Sequence, residues 1–137
     1  MTVLSDHELY DVVGFDATVG PASLDVHLGD ALIRLPYGMT LDPERDQADL
    51  WQPVPLRDDG RWWLDRRDLY LGVTVETIAV PDDMVALLHG LSSLGRLGLL
   101  IHATAGLIDP GNILKPTLDI ISLGGSMLLR PGMRIGQ

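Results

Sequence analysis

Apolar and polar positions alternate over short stretches that are broken repeatedly by glycine and proline. Over residues 22–28, Leu24, Val26 and Leu28 alternate with Ser23, Asp25 and His27, the period-two signature of a strand with one buried face. Residues 31–35 continue in the same manner until Pro36. Residues 62–64 and 70–80 read as further strands; the second places Leu71, Val73 and Val75 on one face, Thr74 and Glu76 on the other, and ends at Pro81. Residues 84–91 suit a buried strand, although Ala86, Leu87 and Leu88 would also suit a helix. Strands follow near 99–102, 117–123 and 126–130, separated by turns at Asp109-Pro110-Gly111 and Gly124-Gly125.

Helical signals are few. Ser5 is placed to cap a short helix, with Glu8 three residues on and Leu9, Val12 and Val13 on its apolar side. Ser92 or Ser93 is placed to cap a second segment containing Leu94, Arg96 and Leu97, which Gly98 stops. The acidic, proline-containing stretch 37–60 reads as surface loop with one short strand near Gln52. Many short strands without crossover helices predict a mostly β fold, a compact barrel or sandwich rather than a parallel α/β sheet. At 137 residues, residues 1–137 are expected to form one domain with its own core.

Composition narrows the chemistry. The absence of cysteine excludes thiolate nucleophiles, Cys-zinc sites, redox motifs and the Cys-zinc design of nucleoside deamination. A formal net charge of −9 argues against a broad nucleic-acid-binding face. That charge is uneven: residues 1–60 carry 12 acidic and 3 basic side chains, and residues 61–137 carry 7 of each. Beyond Met84 only Asp109 and Asp119 oppose Arg96, Lys115, Arg130 and Arg134, so this part can receive a small phosphorylated ligand. No signal segment or long apolar run is evident, which leads to the expectation of a cytoplasmic protein without a membrane partner.

Four constellations carry candidate chemistry. In Gly90 to Gly98, GLSSLGRLG, the Ser92 and Ser93 hydroxyls and the Arg96 guanidinium can donate to phosphate oxygens; the plainer reading is a helix cap with a surface arginine. Asp109, before a Pro-Gly turn, can orient water or simply cap that turn. Asp119 lies in the run Leu118, Ile120, Ile121, where it either faces solvent or lines a pocket suited to acid/base work. Asp25 can anchor magnesium through water or brace a neighbouring loop. The spacing of His7, His27, His89 and His102 does not build a zinc motif, and Trp51, Trp62 and Trp63 suit packing better than base stacking.

Taken together, PASLDVHLG at 21–29, GLSSLGRLGLLIHATAGLIDPG at 90–111, TLDI at 117–120 and PGMRIGQ at 131–137 resemble the dCTP deaminase and dUTPase superfamily. The middle segment looks most like the dUMP-forming, bifunctional dCTP deaminases. The resemblance implies a distorted dUTPase-like β-barrel with short helices, assembled as a homotrimer with nucleotide sites between subunits. It implies that Ser92, Ser93 and Arg96 hold a deoxynucleotide triphosphate, joined by Gln137. Thr104 and Ala105 would then make backbone contacts near the pyrimidine, with Asp109 near the sugar and hydrolytic water. Magnesium would be bound mainly through the substrate phosphates, with Asp25 supporting that end through water. Asp119 stands where the bifunctional enzymes have a glutamate that activates water for attack on cytosine C4; a second water attacks phosphorus to give dUMP.

Departures from the family pattern lie close to this chemistry. Leu91 replaces a lysine or arginine, Asp119 a glutamate, and Asn112, Ile113 and Leu114 an aromatic followed by a small-Gly turn. Relatives also continue past the position of Gln137 with another strand and a tail that helps enclose the nucleotide. Aspartate retracts the carboxylate by about one methylene, and a misplacement of roughly 1 Å can cost on the order of 100-fold in rate. Three readings follow: a nucleotide-processing enzyme of dCTP deaminase or dUTPase type, a noncatalytic nucleotide-binding or regulatory paralogue, and a structural domain with a protein partner.

Overall fold

The computed structural model describes residues 2–13, 18–102, 104 and 106–137. Helix α1 (Asp6–Val13) starts where the sequence predicts, and the Ser5 N–H and hydroxyl both donate to Glu8 Oε2 at 2.8 Å. Those bonds, the backbone one first, hold the Glu8 carboxyl below its ordinary range. The contact is half a capping box, because the hydroxyl turns toward the glutamate instead of accepting from the helix. The side chains of Val12 and Val13 lie outside the described residues.

Fourteen short strands follow among the described residues: β1 (Val19–Gly20), β2 (Ser23–Leu24), β3 (Val26–Leu35), β4 (Gln52–Pro53), β5 (Trp62–Leu64), β6 (Leu69–Thr74) and β7 (Ile78–Ala79), then β8 (Ala86–Leu87), β9 (Leu99–Ile101), β10 (Leu107–Ile108), β11 (Ile113–Leu114), β12 (Thr117–Ser122), β13 (Met127–Leu129) and β14 (Arg134–Gly136). A four-residue helix α2 (Ser92–Gly95) stands between β8 and β9. The principal sheet is antiparallel in the order β14-β3-β6-β12-β9, with β4 also on β3. Separate two-stranded ladders join β1 to β2, β8 to β10, β7 to β11 and β5 to β13.

The expected barrel is thus not closed. Between the β9 and β14 edges the described residues supply only the two-residue β8–β10 ladder and an isolated Gly90–Gly136 bridge. Glycine and proline interrupt the chain too often there for a continuous ladder to form.

Trp62, Leu64, Tyr70, Leu118, Ile120, Leu129 and Ile135 form the heart of the core, each at most 1% exposed. Register fixes which face of each strand they share: Ile120 lies opposite Tyr70 on one side and Ile101 on the other. Two expectations, the strands at 70–80 and 84–91, are corrected here. The predicted strand 70–80 divides into β6 and β7, with bends between them. The buried face of β6 carries Tyr70, Gly72 and Thr74, while Val73 and Val75 are 39% and 50% exposed. Thr74 tolerates burial because its hydroxyl donates to the Glu76 carbonyl at 2.8 Å. Residues 84–91 form only the short β8, with Leu88 buried and Val85 and Leu87 exposed. Of the tryptophans, Trp62 is core, whereas Trp63 is half-exposed beneath the Arg57 guanidinium.

Candidate functional site

The segment after β8 is positioned by two neighbours. Leu88 N–H donates to the Gly106 carbonyl at 2.7 Å, and His89 exchanges two 2.8 Å backbone hydrogen bonds with Gln137. Gln137 is therefore fixed beside the loop that carries the serines. The cap of α2 is Leu91, in extended conformation and without a side-chain cap, rather than Ser92 or Ser93. Those two serines form the exposed first turn, and Arg96 follows it, also exposed. Because both hydroxyls are spared from capping, they are available to an incoming acceptor.

Gly98 ends this segment with φ +87°, and its carbonyl accepts from Leu123 N–H at 2.9 Å. A Cβ there would stand 2.5 Å from Gly124 N, so the loop and the end of β12 meet backbone to backbone.

Asp119 lies on the outer face of the sheet, opposite Leu71, with a side chain 35% exposed. His102 N–H donates to its carbonyl at 3.1 Å, and His102 Nδ1 stands 3.3 Å from Asp119 Oδ2. The imidazole is 11% exposed and its residue has φ +55°, a left-handed conformation that histidine adopts more readily than most non-glycine residues. This carboxylate is thus held by a histidine on a mostly apolar face that includes Ile33, Leu71, Val73, Leu100 and Ile121, with Thr117 beside it.

Asp109 is exposed at the turn after β10, where its carbonyl faces Asn112 N–H at 3.4 Å. Thr104 is exposed, and Ala105 lies outside the described residues. Asp25 is buried and accepts from Arg134 Nη1 at 2.8 Å, pairing β14 with the approach to β3. Among the described residues, no group of three or more His, Asp or Glu is placed to hold a metal ion. A surface recess of about 340 Å³ bounded by Arg34, Arg57 and Trp63 contains none of the candidate residues.

Sequence reading missed His102 as the companion of Asp119, Arg134 as that of Asp25, and the His27–Glu76 pair. These partners are separated by 17, 109 and 49 residues. The sequence signal was at most a charged residue within or beside an apolar run, as at Asp119, which does not name its partner.

An open, mostly β fold with short helices carries exposed hydroxyl and guanidinium groups at one loop and a histidine-held carboxylate on a sheet face. The same fold occurs in the 2'-deoxycytidine 5'-triphosphate deaminase from Agrobacterium tumefaciens, which superposes with a TM-score of 0.74 at 24% identity, covering 98% of this chain and 46% of that one. The family model described as "dCTP deaminase-like" matches residues 4–137, and the chain belongs to that family. Relatives include the dUMP-forming dCTP deaminase of Beutenbergia cavernae, 46% identical over 127 residues, covering 89% of this chain and 65% of that protein. The dCTP deaminase of Haloarcula marismortui is 38% identical over 127 residues, with the same two coverages. The chain thus spans just under two thirds of the length of these relatives.

Proposed function

We propose that this chain acts in pyrimidine deoxynucleotide metabolism as a dCTP deaminase, converting dCTP to dUTP or dUMP. The observation that carries the reading is Asp119, a part-buried carboxylate with Nδ1 of His102 at 3.3 Å, on the apolar outer face of the sheet. Asp119 takes a proton from water as oxygen adds to cytosine C4 and returns protons to the departing nitrogen, so that ammonia leaves and uracil remains. His102, donating from Nδ1, orients the carboxylate. Ser92, Ser93, Arg96 and Gln137 bind the triphosphate; Thr104 and Ala105 are assigned the contacts to the base; Asp109 positions the water for the step at phosphorus.

The donor set fits magnesium that arrives on the phosphates rather than in a protein cage, since Asp25 already commits one oxygen to Arg134. When bound, such an ion neutralises charge on the phosphate oxygens. The outer face, with Ile33, Val73 and Leu100 each more than a third exposed, supports a homotrimer in which a neighbouring copy covers Asp119. A second reading, a nucleotide-binding or regulatory paralogue without turnover, is favoured by Leu91, which brings no polar side chain to the start of α2.

Chromatography of products from dCTP and dUTP with magnesium tests the proposal. dUTP or dUMP should form from dCTP, and Asp119→Asn should lower deamination by about 10²-fold or more. Product from dUTP alone would make the chain dUTPase-like and centred on Asp109. Binding without product would favour the paralogue, and neither binding nor product at millimolar nucleotide would overturn both readings.

A further inference from the structure

The Asp109 turn depends on a strand that leaves the principal sheet, and the point of departure is unusual. β6 pairs with β3 as far as Thr74 opposite Leu28, and Val75 N–H donates to the His27 carbonyl at 2.8 Å. Beyond it the chain bends away to form β7, so the next donor of β3, the His27 N–H, loses its strand partner. A side chain takes that place: Glu76 Oε2 accepts from His27 N–H at 2.9 Å, and Glu76 Oε1 stands 2.7 Å from His27 Nδ1. Both carboxylate oxygens thereby engage one residue, at side-chain exposures of 23% for Glu76 and 29% for His27. The bend is fixed a second time by the hydrogen bond from the Thr74 hydroxyl to the Glu76 carbonyl.

Two residues beyond Glu76 the chain becomes the support of the Asp109 turn. Ile78 and Ala79 pair with Leu114 and Ile113, Val80 N–H donates to the Asn112 carbonyl at 2.8 Å, and Gly111 N–H donates to the Val80 carbonyl at 2.9 Å. Gly111 itself has φ +74°, the left-handed conformation that lets the chain reverse here. β7 and β11 are two residues each, and so short a ladder does not hold its own position without an anchor.

We propose that His27 and Glu76 are positioning residues, a side-chain latch that anchors β7 and through it holds the Asp109–Asn112 turn in register with the sheet. The latch deepens the assignment of Asp109 above and rests on it for its functional consequence, whereas its structural consequence stands alone. Neither residue touches the nucleotide in this scheme.

Amide hydrogen exchange by NMR on the full chain, unliganded, tests it. Glu76→Ala should speed exchange at Val80 and Gly111 by about tenfold or more, while Leu118 and Ile120 in β12 stay unchanged. Glu76→Gln should keep most of the protection, because its amide can accept from the His27 N–H and donate to the other imidazole tautomer. His27→Ala, which keeps the backbone bond and loses the ring, should fall between them and serves if Glu76→Ala does not fold. Unchanged exchange at Val80 and Gly111 in both Glu76→Ala and His27→Ala would overturn the latch, as would equal loss across β12. With nucleotide and magnesium, Glu76→Ala should lower kcat for dUMP formation by about tenfold with KM within about threefold, and Glu76→Gln should restore it. If the wild type turns over no nucleotide, the assigned function fails while the exchange data still decide the latch.

Discussion

Replacing Gly98 by alanine probes the junction on which the loop carrying Ser92, Ser93 and Arg96 hangs. Its φ of +87° is a conformation that L-residues rarely adopt, and the added Cβ would lie 2.5 Å from Gly124 N and 2.9 Å from Gly124 Cα. The backbone strain is worth roughly 1–2 kcal/mol. The clash is with main chain on both sides, so relief requires moving the loop or the Gly124-Gly125 turn, at a further cost of about 1–3 kcal/mol. The total, about 2–5 kcal/mol, is a large share of the roughly 5–15 kcal/mol that holds a folded domain of this kind. Gly95, three residues earlier in α2, is the internal control: its φ is not positive and nothing lies within 4 Å of its added Cβ. Gly95→Ala should be neutral or stabilising by about 0.5–1 kcal/mol. Urea unfolding of both variants reads the difference, and calorimetric titration with dCTP and magnesium reads its functional side. Gly98→Ala should weaken binding about tenfold or more, as Ser92, Ser93 and Arg96 shift, while Gly95→Ala binds like the wild type. A Gly98→Ala protein within about 0.5 kcal/mol of wild type would refute the reasoning, because backbone contacts this close do not relax without cost.

Two further outcomes follow from pairings in the core and at its edge. Tyr70 is fully buried and its hydroxyl accepts from Asp65 N–H at 2.6 Å, so Tyr70→Phe should lower unfolding free energy by about 1–2 kcal/mol in urea titrations. Burial, chiefly, raises the Tyr70 pKa above its ordinary value near 10.0. The neutral phenol thus contributes stability that is fully present below the unfolded-state pKa and lost as pH rises through the folded one; the variant should lack that alkaline decline. Arg134→Met leaves the buried Asp25 carboxylate without its 2.8 Å partner and should cost about 1–3 kcal/mol at neutral pH, nearer the lower end because Arg134 is half-exposed. The double variant with Asp25→Asn should recover part of that loss.

The sequence by itself determined the β-rich class, the start of α1, the strand near Gln52, the core strand bearing Leu118 and Ile120, and the turns at Asp109 and Gly124. Each follows from local rules: alternation, glycine or proline at a bend, and a capping serine with its glutamate. The motif set from residue 21 onward also pointed to the family that the comparisons establish. Tertiary structure decided what local rules leave open. The side of β6 bearing Val73 faces out, because alternation shows that a strand has two faces but not which one the core receives. Leu91, not a serine, occupies the cap position of α2, since the cap depends on where the preceding strand delivers the chain. Above all, pairing of Asp119 with His102, Asp25 with Arg134 and Glu76 with His27 arises from register between strands distant in sequence. A hydrogen bond between side chains acts over about 3 Å, and only the folded sheet brings such residues within that reach.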